Sequence, residues 1–202
     1  MFWNRPGYMN NTSFFYLGKL KTVLPTVEQI ESTFEPNIFD SADPFHNRGD
    51  RRLCWQYYED TNIYFARNFC LHYVKLTHLL RDELIELQKQ IALKENISEL
   101  ENIFLKEEIK AENFSMSKSS GDVEVHYDNT RNYSINIGLG NCGNATTISS
   151  LTPNLKDFDN YPKVDYVLNN SDIYVFNTKR YHCVKQITPS TEFRYIITYS
   201  IR

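Results

Sequence analysis

No stretch of this chain stays apolar for the ~18–20 residues that a membrane-spanning helix needs, so an integral helical membrane protein is not expected. The first residues, Met1-Phe2-Trp3-Asn4-Arg5-Pro6-Gly7, lack a basic segment followed by an apolar one, so no secretory leader is read there. Glycine and proline are scarce, seven of each, and no low-complexity linker or internal repeat divides the chain. Charge of one sign is lacking too. Lys and Arg number 22 against 25 Asp and Glu, a formal net charge of −3. That balance exerts no general pull on nucleic acid or on an anionic membrane, and both are disfavoured as partners. The four cysteines, Cys54, Cys70, Cys142 and Cys183, contain no CxxC pair, which excludes a zinc ribbon. Four reduced thiols and a cytoplasmic location are the matching expectation.

What is present is enough apolar material for a core. Hydrophobic residues make up 41% of the 202 residues, which excludes wholesale disorder. The length suits a single domain over 1–202. Its texture changes near residue 114, dividing a support region of strand, loop and helix (1–113) from a β-rich core (114–202). In the first part, Phe14-Phe15-Tyr16-Leu17 reads as a strand. Val27, Ile30 and Phe34 share one face of a short helix after Pro25. Residues 35–52 hold turn formers and read as a loop. From Asn68 to Leu93 the pattern is helical, with Leu76, Leu80, Leu84, Leu87 and Ile91 on one stripe. Ser98-Glu99-Leu100-Glu101 has capping-box form and opens a helix through Leu105 and Ile109. After residue 114 the period becomes two. Strands are expected at 123–128, 133–139, 173–177, 181–187 and 193–201, an antiparallel sandwich or barrel.

The chemistry-bearing residues lie in that second part. In His126-Tyr127-Asp128 the imidazole and the carboxylate are two positions apart, so on a strand they share a face about 7 Å apart at the backbone. His182 is expected on another strand. Two histidines and one carboxylate on strands are the donor set of a non-haem Fe(II) site with open coordination positions. Arg194 opens the apolar strand Phe193-Arg194-Tyr195-Ile196-Ile197-Thr198-Tyr199. A guanidinium there needs an anionic partner, and its planar fork suits a carboxylate. Arg180 is the competing basic residue. The other histidines, His46, His72 and His78, read as structural. The cluster Arg48, Arg51 and Arg52 reads either as solvated surface or as an arm over a site mouth that receives an acidic substrate. Trp55 reads as core packing or as a residue bordering that mouth.

The constellation His126-x-Asp128, His182, Arg194 resembles the Fe(II)/2-oxoglutarate-dependent dioxygenases. The match covers about residues 112–202. Asn129 to Leu139 is similar to the strand that follows H-x-D in that family. Ser171-Asp172-Ile173-Tyr174-Val175-Phe176-Asn177 resembles its G-D-x-x-x-F strand, with Ser171 in place of Gly. Phe193-Arg194-Tyr195 resembles its closing strand. The resemblance implies a mixed α/β, mainly β fold: a double-stranded β-helix, or jelly roll, with N-terminal helices packed on the outer sheet. It implies Fe(II) held by His126, Asp128 and His182, with 2-oxoglutarate and O2 as cosubstrates. It also implies Arg194 at the far carboxylate of 2-oxoglutarate, and Asn136 or another polar inward residue is read as its companion there. The expected reaction is hydroxylation of an unactivated C–H bond in a small molecule, amino acid or peptidyl side chain, releasing succinate and CO2. Arg51, Arg52 and Trp55 are the expected substrate contacts. Two positions depart from the family: Ile196 and Ser117 stand where many members carry a hydroxyl residue and a Tyr for that carboxylate. The alternatives are a cupin-type metalloenzyme that needs no 2-oxoglutarate and a jelly-roll binding protein without catalysis.

Overall fold

The structure, a computed structural model, describes residues 13–34, 53–151 and 157–202. Its strands are β1 (Phe14–Lys19), β2 (Cys54–Tyr58), β3 (Ile63–Arg67), β4 (Phe114–Ser119), β5 (Val123–His126) and β6 (Tyr133–Leu139). They continue with β7 (Ala145–Ser150), β8 (Lys163–Val167), β9 (Asp172–Asn177), β10 (His182–Gln186) and β11 (Arg194–Ile201). The helices are α1 (Val27–Glu31), α2 (Phe69–His72), α3 (Val74–Ala92) and α4 (Glu99–Lys106). A seven-stranded sheet in the order β1-β9-β6-β11-β4-β3-β2 faces a four-stranded sheet in the order β5-β10-β7-β8, and the strands pair antiparallel. Two such sheets enclosing one interior, with helices on the outside of the larger, are the mainly β jelly roll expected.

Alternation along β11 decides what each face does. Tyr195, Ile197, Tyr199 and Ile201 point outward into one core with Leu76, Leu80 and Leu84 of α3 and Leu100 and Phe104 of α4. The leucine stripe read from the sequence is therefore the packing face of α3. Leu80 and Leu84 are fully buried, and each contributes about 1.5–3 kcal/mol. Arg194, Ile196 and Thr198 take the opposite, interior face. There Ile196 packs on a second cluster of Phe14, Tyr166, Leu168 and Phe176.

The capping boxes at Thr26/Gln29 and Ser98/Glu101 start α1 and α4. The second of these helices is shorter than its periodicity suggests. It stops at Lys106, and Glu107 is extended. The Gln88 side-chain amide donates to the carbonyls of Phe104 and Glu107 at 2.6 and 2.8 Å, which satisfies orphan helix-end acceptors. The buried Tyr199 hydroxyl meets the next segment, taking the Lys110 N–H at 3.1 Å and donating to Glu107 at 3.0 Å. Ile109 thus reaches the core as extended chain. Helix 68–93 is likewise broken at Tyr73 into α2 and α3. Strands β2, β3, β4, β7 and β8 lacked a clear sequence signal. Among the described residues no helix is long and apolar enough to cross a membrane.

Candidate metal centre

His126 ends β5 and His182 begins β10, and the register sets them directly opposite one another. Their rings lie 4.3 Å apart between centroids. Asp128 departs from the single-strand reading. β5 stops at His126, and Asp128 sits in the following turn, where its N–H donates to the Thr178 carbonyl at 2.9 Å. The turn still delivers the carboxylate. Ligand atoms of His126, Asp128 and His182 all lie within 4.8 Å of one another. Among the described residues, no other cluster of His, Cys, Asp or Glu meets the same geometric condition.

The hydrogen bonds around these three side chains fit a cation. His126 Nδ1 lies 2.7 Å from the Glu124 carbonyl, and His182 Nδ1 lies 2.7 Å from the Arg180 carbonyl. A carbonyl only accepts, so each Nδ1 donates and each Nε2 is the ring atom left to face a cation. Burial first, and then the neighbouring His126, push the His182 pKa down to about 3. His182 is therefore a neutral donor at ordinary pH. Arg131 Nε donates to Asp128 Oδ2 at 2.8 Å, which leaves Oδ1 as the open oxygen. The Phe176 ring meets His182 edge-on at 4.6 Å and walls one side. The donor set, two imidazoles and a carboxylate, fits a divalent first-row metal.

Arg194, on the interior face of β11, is only 4% exposed. Its Nη2 donates to Ser119 Oγ at 3.1 Å and to the Gly121 carbonyl, while Nη1 is buried with no hydrogen-bond partner. Burial pulls its pKa down, partly offset by Asp122. Asp122 itself is engaged by Lys185 Nζ at 3.0 Å and the Gln186 N–H at 2.9 Å. Among the described residues no ion pair links Arg194 to a carboxylate. A buried guanidinium with an orphan donor is costly unless an anion completes it. Arg180 is placed differently. Its Nη1 donates to the Leu151 carbonyl, and Glu99 and Tyr133 are its electrostatic neighbours.

Between the two ends the interior is polar on one side. Asn136 donates to the Tyr166 hydroxyl at 3.2 Å and accepts from Ser134 and Thr198, both at 3.3 Å. Asn136 pairs with Thr198 in the sheet, four residues along β11 from Arg194, so the two do not form a single fork. Ser119, Tyr166, Arg131 and Thr178 were not singled out from the sequence. Only Arg131, three residues after Asp128, carried a local signal that spacing could have exposed.

Trp55 is not brought to the ligands. It is 9% exposed and stacked on Phe34 at 4.2 Å, and it lies edge-on to Tyr195 at 6.2 Å. Tyr195 faces outward, so Trp55 packs on the side of the sheet opposite Arg194. Buried Lys118 sits 4.4 Å from the Trp55 ring and pairs with Glu31 at 2.6 Å, so this corner is structural packing. Arg48, Arg51, Arg52 and His46 lie outside the described residues.

No protein-family model and no curated protein matches the chain. Among solved structures it is similar to SnoK, a non-haem alpha-ketoglutarate dependent carbocyclase of nogalamycin biosynthesis. The identity is 12% over 73% of this chain and 68% of that one, with a TM-score of 0.47. It is similar also to a prolyl hydroxylase from Trichoplax adhaerens, at 18% identity over 69% and 63% of the two chains and a TM-score of 0.42. Drosophila melanogaster CENP-C bound to CAL1 matches at 5% identity over 73% and 79%, with a TM-score of 0.37. The chain spans 66% of the length of the epimerase SnoN, another solved structure it matches. Such likenesses concern the fold, and the chemistry has to be argued from the site.

Proposed function

We propose that this chain is an Fe(II)- and 2-oxoglutarate-dependent dioxygenase that hydroxylates an unactivated C–H bond of a small molecule, amino acid or peptidyl side chain, releasing succinate and CO2. One observation carries the reading. Three convergent metal donors and a buried arginine with an orphan donor face the same barrel interior. A cupin-type enzyme without 2-oxoglutarate would leave Arg194 with no role.

His126, Asp128 and His182 would hold the ion, each through one atom. Bound Fe(II), together with O2 and 2-oxoglutarate, supplies the oxidising power for C–H hydroxylation. Arg194 Nη1 would take the far carboxylate of the cosubstrate in a charge-assisted hydrogen bond, with Ser119 and the Gly121 carbonyl holding the guanidinium in place. Asn136 and Tyr166 would line the path between the two ends. Phe14, Phe176 and Ile196 keep water away from it. Arg51 and Arg52 are proposed to receive an acidic group of the substrate. Replacing both by Ala should impair coupled turnover while 2-oxoglutarate is still consumed, and intact coupled turnover would remove the acidic-substrate inference.

The deciding experiment is anaerobic reconstitution with Fe(II) and 2-oxoglutarate. A chelating 2-oxo acid on Fe(II) gives a weak visible charge-transfer band, which should appear only when both are present and vanish in His182→Ala. Absence of the band at saturating concentrations of both would refute the proposal.

A further inference from the structure

The turn that carries Asp128 and the turn that leads into His182 are stitched together. The Asp128 N–H donates to the Thr178 carbonyl at 2.9 Å, and the Thr178 N–H donates to the Asn132 carbonyl at 3.1 Å. Thr178 Oγ1 donates to the Arg131 carbonyl at 2.9 Å. Lys179 Nζ reaches the carbonyls of Asp128 and Asn129, both at 3.1 Å. Arg131 closes the loop through its 2.8 Å bond to Asp128 Oδ2. Thr178 is fully buried, and the side chains of Arg131 and Asp128 are each 18% exposed, so water competes little for these bonds.

We infer that Arg131 and Thr178 form a clasp that assembles the metal site before metal arrives and restricts Asp128 to a single coordinating oxygen. The inference rests on the metal reading above. A carboxylate with both oxygens free can close on an ion through two positions. A guanidinium on Oδ2 withdraws one of them, so three residues contribute three donors and the rest of the coordination sphere stays open. Thr178 supplies the second half. Its backbone and hydroxyl bonds hold the Asp128 turn against the segment bearing His182, so donors distant in sequence meet at fixed separation. Arg131 and Thr178 act through Asp128 and are positioning residues.

The test uses the metal-free full chain and Co(II) as the probe, followed by calorimetry and by the Co(II) ligand-field spectrum. The wild type should bind one Co(II) per chain. Arg131→Met and Thr178→Val should each weaken binding about 10–100-fold, the usual cost of removing a group that orients a ligand. Arg131→Met should also change the spectrum, because Asp128 becomes free to bind through both oxygens. Thr178→Ser keeps the hydroxyl and should restore affinity. Arg131→Lys keeps the charge but loses the planar donor, and should bind more weakly than wild type even if Arg131→Met fails to fold. A lowered melting temperature with wild-type Co(II) affinity and spectrum in these variants would overturn the clasp and leave the metal site standing. Failure of the wild type to bind Co(II) at all would overturn the metal reading and the clasp with it.

Discussion

Arg194→Met is the most informative single change. Methionine keeps much of the length and bulk while removing the charge and every donor. Two effects on stability oppose each other. The bonds to Ser119 and Gly121 are lost, and the orphan Nη1 no longer has to be buried. Each side of that exchange amounts to about 1–3 kcal/mol, so the unliganded protein should melt close to wild type. Binding has no such compensation. Loss of a buried charge-assisted contact should weaken 2-oxoglutarate by about 2 kcal/mol, or ~30-fold. At 2-oxoglutarate 100 times the wild-type Kd, the wild type gains about 2.7 kcal/mol and the variant about 0.9 kcal/mol. For a chain of this size those gains correspond to thermal upshifts of about 5–11 °C and about 2–4 °C. The assay is anaerobic thermal melting with saturating Fe(II), with and without 2-oxoglutarate, with Arg180→Met as the charge-matched control. Equal upshifts in wild type and Arg194→Met, or a larger loss in Arg180→Met, would refute the assignment of the carboxylate to Arg194.

Three further outcomes follow from local geometry. Ser171 holds a left-handed φ of 66°, a conformation that costs an L side chain more than glycine, so Ser171→Gly should raise stability by about 0.5–1 kcal/mol in urea titration. Gly138→Ala would place a methyl carbon against the Asn169 carbonyl and 2.8 Å from Cys142 Sγ, and should destabilise by about 1–3 kcal/mol in the same titration. Glu101 is buried in the Ser98 capping box. Burial, the largest single influence, raises its pKa, but hydrogen bonds from Ser98 and Lys94 together hold it below its ordinary 4.5. A carboxylate whose folded pKa is lowered contributes stability above the unfolded value and loses it as pH falls through the folded one. Glu101→Gln should therefore flatten the loss of stability on acidification below about pH 4.5, as followed by circular dichroism.

Much of this molecule is legible where the signal is local. The α3 stripe, the Ser98 box and the alternation over Tyr133–Leu139 each need only a few consecutive residues, and each corresponds to an element of the structure. The H-x-D spacing and an arginine opening an apolar strand are equally short-range. β7 was missed because the polar pairs Thr146-Thr147 and Ser149-Ser150 break the apolar alternation, and β8 because its alternation of Val164 and Tyr166 with Lys163 and Asp165 spans only five residues. The end of α4 was missed because Gln88, from another helix, caps it. Trp55 illustrates the same limit from the other side. Its type allowed a place at a substrate mouth, but the face on which its strand packs sets it against Phe34 and Tyr195.

By itself the sequence determined the residue types and the short spacings: two histidines and an aspartate in β-rich text, a lone guanidinium among apolar neighbours, and helices with one greasy face. Tertiary structure decided everything that depends on who stands opposite whom. The β5–β10 register puts His182 across from His126, and the Thr178 turn brings in Asp128. Packing buries His182 until it is neutral, and places Arg194 inside with an open donor while Arg180 meets Leu151 and Glu99. The physical reason is the reach of each constraint. Covalent geometry ties a residue to neighbours a few positions away, whereas strand register and burial are set jointly by the whole fold.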